Sequence, residues 1–174
     1  MPAFKTISRR GFMGTTAAGA LAPLAMAGAA RAETDAFAYE IVRSEGEWRE
    51  MLSAEEYHIL REGGTERPHS SPMAADYSEG TFHCRGCDLC LYTSRWREEV
   101  DKGWVFFRHA EPDTMLMDID GPEEAYGQMA LDSLTNIEAH CRRCGSHIGH
   151  ILKVDNKVLH CMNGTALRLE LKEA

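Results

Sequence analysis

The chain has 174 residues, 44% of them hydrophobic, with 19 Lys+Arg against 27 Asp+Glu for a formal net charge of −8. That is the make-up of one globular domain with an appendage. The acidic excess repels phosphate backbones and anionic headgroups, which excludes nucleic-acid binders and proteins that dock on membrane surfaces and leaves a protein or a small molecule as partner.

In chain order, Lys5, Arg9 and Arg10 precede an uncharged Ala/Gly-rich run from Gly11 to Ala30, closed by Ala30-Arg31-Ala32. A basic start, a mildly apolar run and an A-x-A end predict a signal peptide over residues 1–32, cut after Ala32. Ser8-Arg9-Arg10-Gly11-Phe12-Met13 resembles the twin-arginine export signal, so a periplasmic location is expected, and the carried protein crosses already folded. Gly14, Gly19 and Pro23 interrupt the run. It falls short of the ~20 strongly apolar residues of a membrane span, so no membrane association is expected after cleavage. Cleavage removes four basic and no acidic residues, which leaves 15 Lys+Arg against 27 Asp+Glu, a net −12.

Residues 33–47 read as a loose leader, and the folded domain is expected over 48–174. Ser53-Ala54-Glu55-Glu56 is a capping box that opens a helix through Tyr57, Ile59 and Leu60, stopped by Gly63-Gly64. Polar residues 64–80, with Pro and Gly among them, form a long loop. From Thr81 onward the pattern turns to short runs rich in Val, Ile, Phe, Leu and Tyr, over 103–109, 114–119, 136–140, 147–154, 157–163 and 166–171. The expected fold is mainly β with short N-terminal helices and antiparallel sheets.

One turn is sharp. Asp155-Asn156 separates "HIGHILKV" from "KVLHCMN", and both residue types tolerate the positive φ of a two-residue hairpin. Counting back from it sets Val154 against Lys157, Leu152 against Leu159 and His150 against Cys161. Directly opposed residues share a sheet face, with Cβ atoms ~4.5–5.5 Å apart. An imidazole is thereby placed beside a thiol.

The six cysteines divide four, one and one. Cys84-Arg-Gly-Cys87 and Cys141-Arg-Arg-Cys144 are two C-x-x-C knuckles with 53 residues between them, a donor set that suits a tetrahedral structural Zn²⁺. Three disulfides, which an exported protein favours, or a redox dithiol are the rival readings. Cys90 reads as a small packed residue beside a knuckle. Cys161 is either a buried inert thiol or a reactive thiolate, and the opposed His150, His147 three residues before it and the nearby Asn163 favour the second.

Five segments in order, "EWREMLSAEEYHILREGGTERPHS", "GTFHCRGC", "GWVFF", "CRRCGSHIGHI" and "HCMNGTALRLEL", resemble the B-type methionine-R-sulfoxide reductases. The resemblance implies two small antiparallel sheets in a zinc-stabilised Mss4-like (β-tent) fold. It implies Cys161 as the nucleophile that attacks the sulfur of peptide-bound methionine-R-sulfoxide and becomes a sulfenic acid. It also implies His150, His147 and Asn163 placing or protonating the sulfoxide oxygen, and Trp104 with Phe107 packing against the substrate. Regular alternation would turn His147 away from the face of His150, so a bulge near Gly149 is needed.

This chain departs from the pattern at several places. Leu159 stands where relatives carry Arg, Phe106 for Ser, Val105 for Pro and Gly164 for Ser, and Asp155 comes one step late for an acidic residue. Without a cation at position 159 the pKa of Cys161 should rise. Lys102 occupies the place of a resolving cysteine, so a thioredoxin-like external reductant is expected, acting on a monomer. Leu159 and Phe106 also suit an alternative, a non-catalytic zinc-binding relative that acts as a partner-binding module.

Overall fold

The computed structural model describes residues 37–119 and 137–173, which belong to one compact unit beginning at Phe37. The expected signal peptide, residues 1–32, lies outside the described residues. Among the described residues no helix is long and apolar enough to cross a membrane.

Two short helices open the unit, α1 (Glu45–Met51) and α2 (Ala54–Glu62). Each starts on a reciprocal capping box. The Ser44 backbone N–H donates to the Glu47 carboxylate at 2.7 Å and the Glu47 N–H to Ser44 Oγ at 3.3 Å; Ser53 and Glu56 repeat the exchange at 2.9 and 3.2 Å. Such caps satisfy N–H groups the helix itself leaves unpaired. Gly63, in the left-handed region at φ 69°, ends α2 as expected. The first helix starts at Glu45, inside the stretch expected to be loose, and anchors itself through buried Trp48. Tyr57, Ile59 and Leu60 are the buried face of α2.

Among the described residues nine strands follow: β1 (Gly80–Cys84), β2 (Cys90–Thr93), β3 (Arg97–Glu98), β4 (Val105–Phe107), β5 (Met115–Ile119), β6 (Ile137–Cys141), β7 (His147–Val154), β8 (Lys157–Met162) and β9 (Leu167–Leu171). They form two antiparallel sheets, in the orders β2-β1-β9 and β3-β4-β8-β7-β6-β5. The mainly β class with two N-terminal helices is thus observed. β1, β2 and β3 were not among the expected strands, while the six expected runs each contain a strand.

The hydrophobic core gathers Phe82, Leu91 and Tyr92 from the small sheet with Val105, Phe107, Ile148 and Met162 from the large one. Its centre is aromatic. Tyr92 stacks on Phe107 at 4.2 Å between ring centroids, and Phe82 meets Phe107 edge-on at 4.9 Å. Phe107 is fully buried there.

Candidate active site and metal centre

Asp155 and Asn156 have φ of 48° and 63°, and the hairpin they close has the expected register. Val154 pairs with Lys157, Leu152 with Leu159 and His150 with Cys161. The pairing continues across the large sheet. Cys161 also faces Phe106, His150 faces Glu138, and Glu138 faces Asp118. Since opposed residues point to the same side, Phe106, Cys161, His150 and Glu138 form one transverse row on one face. Gly149 makes this close approach feasible, because a Cβ there would stand 2.3 Å from the Cys161 carbonyl oxygen.

Above the row lies a cavity of about 430 Å³ bounded by Thr65, Trp104, Phe106, His150, Cys161 and Asn163, with Lys102 at its wall. Phe107 does not reach it. Strand alternation sends Phe107 to the core side, opposite the neighbouring Phe106, so the aromatic partner of Trp104 in the cavity is Phe106. All six cysteines are free of disulfides, which removes the three-disulfide reading. Cys161 is partly exposed at the cavity wall. Burial pushes its thiol up to about 12, and the Glu66 carboxylate adds to the rise. The sulfur is therefore a thiol at neutral pH, and a nucleophile forms only with a proton acceptor in place.

Glu66, which the sequence reading did not single out, organises the rim. It is 3% exposed. Its carboxylate accepts from the backbone N–H of Gly164 at 2.7 Å and of Thr165 at 2.8 Å, while its carbonyl accepts from Trp104 Nε1 at 3.3 Å. Its own N–H donates to Asn163 Oδ1 at 3.1 Å, and Asn163 Nδ2 donates to the Ile148 carbonyl at 3.2 Å. Asn163 thus braces the turn after β8 against β7, and Trp104 is tied to the same brace. The only sequence signal for Glu66 is an acid in a polar loop, which ordinarily means a solvated surface. Glu66→Ala is expected to destabilise the protein by about 3 kcal/mol, the scale of buried charge-assisted hydrogen bonds, and Glu66→Gln by about half as much. Urea unfolding of the two variants checks this order.

His147 sits beyond His150, with ring centroids 5.2 Å apart. A bulge brings it there. Ala139 pairs with Gly149 and the next residue, His140, with His147, so Ile148 is the extra residue, immediately before Gly149. His147 is 3% exposed, and its Nδ1 meets Glu138 Oε1 at 2.5 Å. Its Nε2 is buried with no hydrogen-bond partner among the described residues. Burial lowers its pKa against the pull of Glu138, so the ring is neutral at pH 7. His147 does not line the cavity over Cys161; it lines a separate cleft beside α2.

The two knuckles meet where the sheets meet. β1 ends in Cys84 and β6 in Cys141, and each chain then turns tightly, the fifth residue lying in the left-handed region: Asp88 at φ 62° and Gly145 at φ 68°. The Asp88 N–H donates to the Cys84 carbonyl and the Gly145 N–H to the Cys141 carbonyl, both at 2.8 Å. The sulfurs of Cys84, Cys87, Cys141 and Cys144 lie within 4.8 Å of one another, with Cys84–Cys144 at 3.8 Å and Cys87–Cys141 at 3.5 Å. A tetrahedron of thiolates ~2.3 Å from a metal has edges of about 3.8 Å. The four cysteines fit a metal ion. Cys90, on β2, stays outside the cluster, its Sγ 3.7 Å from the Tyr92 carbonyl.

The SelR domain model matches residues 52–171. The peptide methionine sulfoxide reductase MsrB of Agrobacterium fabrum is 30% identical over 75% of this chain and 93% of its own length. That of Methanosarcina barkeri is 31% identical over 76% and 90%, and the peptide methionine sulfoxide reductase B3 of Arabidopsis thaliana 31% over 74% and 69%. The match spans α2, both knuckles, Trp104 and the Cys161 hairpin, and the chain belongs to the SelR family, that of the B-type methionine sulfoxide reductases.

Proposed function

We propose that this chain is a peptide-methionine (R)-S-oxide reductase with Cys161 as nucleophile. The observation that carries the reading is the direct pairing of His150 with Cys161 under a cavity walled by Trp104 and Phe106. Aromatic walls suit the polarisable S-methyl group. A sulfoxide sulfur becomes electrophilic when its oxygen is hydrogen-bonded or protonated. The proton leaves the Cys161 thiol for the sulfoxide oxygen, with His150 as the group beside both, and Cys161 Sγ attacks the sulfur. In sum, one oxygen passes from the methionine sulfur to Cys161, which is oxidised by two electrons to a sulfenic acid while the sulfoxide is reduced to a thioether. One thiol of an external dithiol then forms a mixed disulfide with loss of water, and the second thiol releases Cys161. A thioredoxin-like protein supplies that dithiol, since among the described residues no cysteine besides Cys161 lines the cavity, where Lys102 stands, and Cys90 lies in the other sheet.

The metal at the four cysteines is Zn²⁺ in this proposal, on the strength of an all-sulfur donor set and tetrahedral spacing. Its chemistry there is structural: it clamps the end of β1 to the β6–β7 turn. The arginines and the Ala-Arg-Ala end of residues 1–32 support export by the twin-arginine route, with oxidised methionines of envelope proteins as substrates and a monomer as the working form. Fractionation of cells, with and without Arg9→Lys/Arg10→Lys, tests the export; equal release of both forms into the periplasm contradicts it.

The high thiol pKa favours a second reading, a relative that keeps the fold and binds a partner without turnover. A dabsylated methionine sulfoxide assay with dithiothreitol separates the two. The proposal expects reduction of the R epimer and not the S epimer; reduction of neither leaves the second reading in its place.

A further inference from the structure

Glu138, His140 and His147 hold a second set of ligand atoms, all within 4.8 Å of one another. Residues 138 and 140 lie two apart on β6 and so share a face, and the bulge at Ile148 sets His147 against His140. Glu138 bridges both rings, its Oε1 2.5 Å from His147 Nδ1 and its Oε2 3.3 Å from His140 Nε2. Among the described residues no Lys or Arg comes within ion-pair distance of Glu138. The nearby Arg61 is spent on the Cys144 carbonyl at 3.2 Å and Ser146 Oγ at 3.3 Å, and Glu62 on His58 at 2.9 Å. The three side chains line a cleft of about 370 Å³ beside α2, with room for water.

We propose that Glu138, His140 and His147 bind one first-row divalent cation of the Zn²⁺ class, at a site separate from the four cysteines. Two imidazoles with one carboxylate suit Zn²⁺, Co²⁺ and their neighbours and disfavour Mg²⁺ and Ca²⁺, which prefer all-oxygen shells. The cleft leaves the remaining coordination positions to water, so binding is reversible. A consequence, which rests on the proposed function, is control of the reaction. The His147 ring lies 5.2 Å from that of His150, and Glu138 is paired with His150 across the strands, so a cation held there engages the cross-strand neighbour of His150 and sets positive charge beside its ring.

The test titrates the metal-loaded, reduced full chain with Co²⁺ and then Zn²⁺. Wild type is expected to take one further equivalent, with weak cobalt absorption and no thiolate-to-cobalt band, displaced by Zn²⁺. His140→Gln and Glu138→Gln, shown to be folded by circular dichroism, are expected to bind at least tenfold more weakly. No further equivalent in wild type, a thiolate band on it, or equal binding by both variants overturns the site. In the sulfoxide assay the same Zn²⁺ is expected to slow wild type more than His140→Gln. Equal slowing assigns inhibition to another group, such as Cys161, and overturns the regulatory consequence, while the titration alone decides the site.

Discussion

Cys161→Ser is expected to lower kcat/KM on a peptide methionine-R-sulfoxide by roughly four orders of magnitude or more, the scale on which loss of an enzyme nucleophile is felt. The swap keeps the shape of a partly buried position, so the thermal midpoint is expected to stay within a few degrees of wild type. The same residue predicts a distinctive pH dependence. With its thiol held up at about 12, the reactive anion is a trace at pH 7, and its amount grows as pH rises. Alkylation by iodoacetamide, followed on the Cys161 peptide by mass spectrometry, is expected to climb about tenfold per pH unit from 7 to beyond 9. An ordinary thiol of pKa ~8.5 would level off in that range. A plateau near neutrality would mean that another group already ionises Cys161, and would remove the need for proton transfer during the attack.

Loss of the metal is expected to be the largest effect on stability. Structural Zn²⁺ sites contribute ~10–16 kcal/mol, as much as the entire ~5–15 kcal/mol by which a domain is stable. Here the cluster joins the end of β1, in the small sheet, to the β6–β7 turn of the large one. Cys84→Ser, or prolonged treatment with a strong chelator, is therefore expected to abolish cooperative thermal unfolding, with about one Zn²⁺ per chain found in the untreated protein by elemental analysis. Cys90→Ser, outside the cluster, is expected to keep both metal and fold. A metal-free chain that still unfolds cooperatively at the wild-type temperature would make the cluster dispensable.

What the residues disclosed followed from short-range rules. The hairpin at Asp155-Asn156 lets the His150–Cys161 pairing be counted out from the sequence, because a two-residue turn fixes register. The two C-x-x-C spacings likewise announced four sulfurs in one place. Long-range geometry was less legible. Phe107 and Phe106 are adjacent in sequence and equally apolar, and only the register of β4 against β8 decides which of them faces Cys161. The helix at Glu45–Met51 carries the same Ser-x-x-Glu signal as its successor, but Gly46, its second residue, is a poor helix former that masks the start. Strands β1 to β3, Gly-Thr-Phe-His-Cys, Cys-Leu-Tyr-Thr and Arg-Glu, carry few of the Val, Ile, Leu and Phe residues by which strands are recognised. Glu66 gains its role from contacts to residues almost a hundred positions away, which no local pattern reveals.

The most direct measurement of the account is a single turnover without reductant. Reduced protein is mixed with excess peptide methionine-R-sulfoxide, quenched with dimedone and mapped by mass spectrometry. One methionine per chain and one dimedone adduct, on Cys161, are predicted. No methionine formed, or an adduct on Cys90 in place of Cys161, would contradict it.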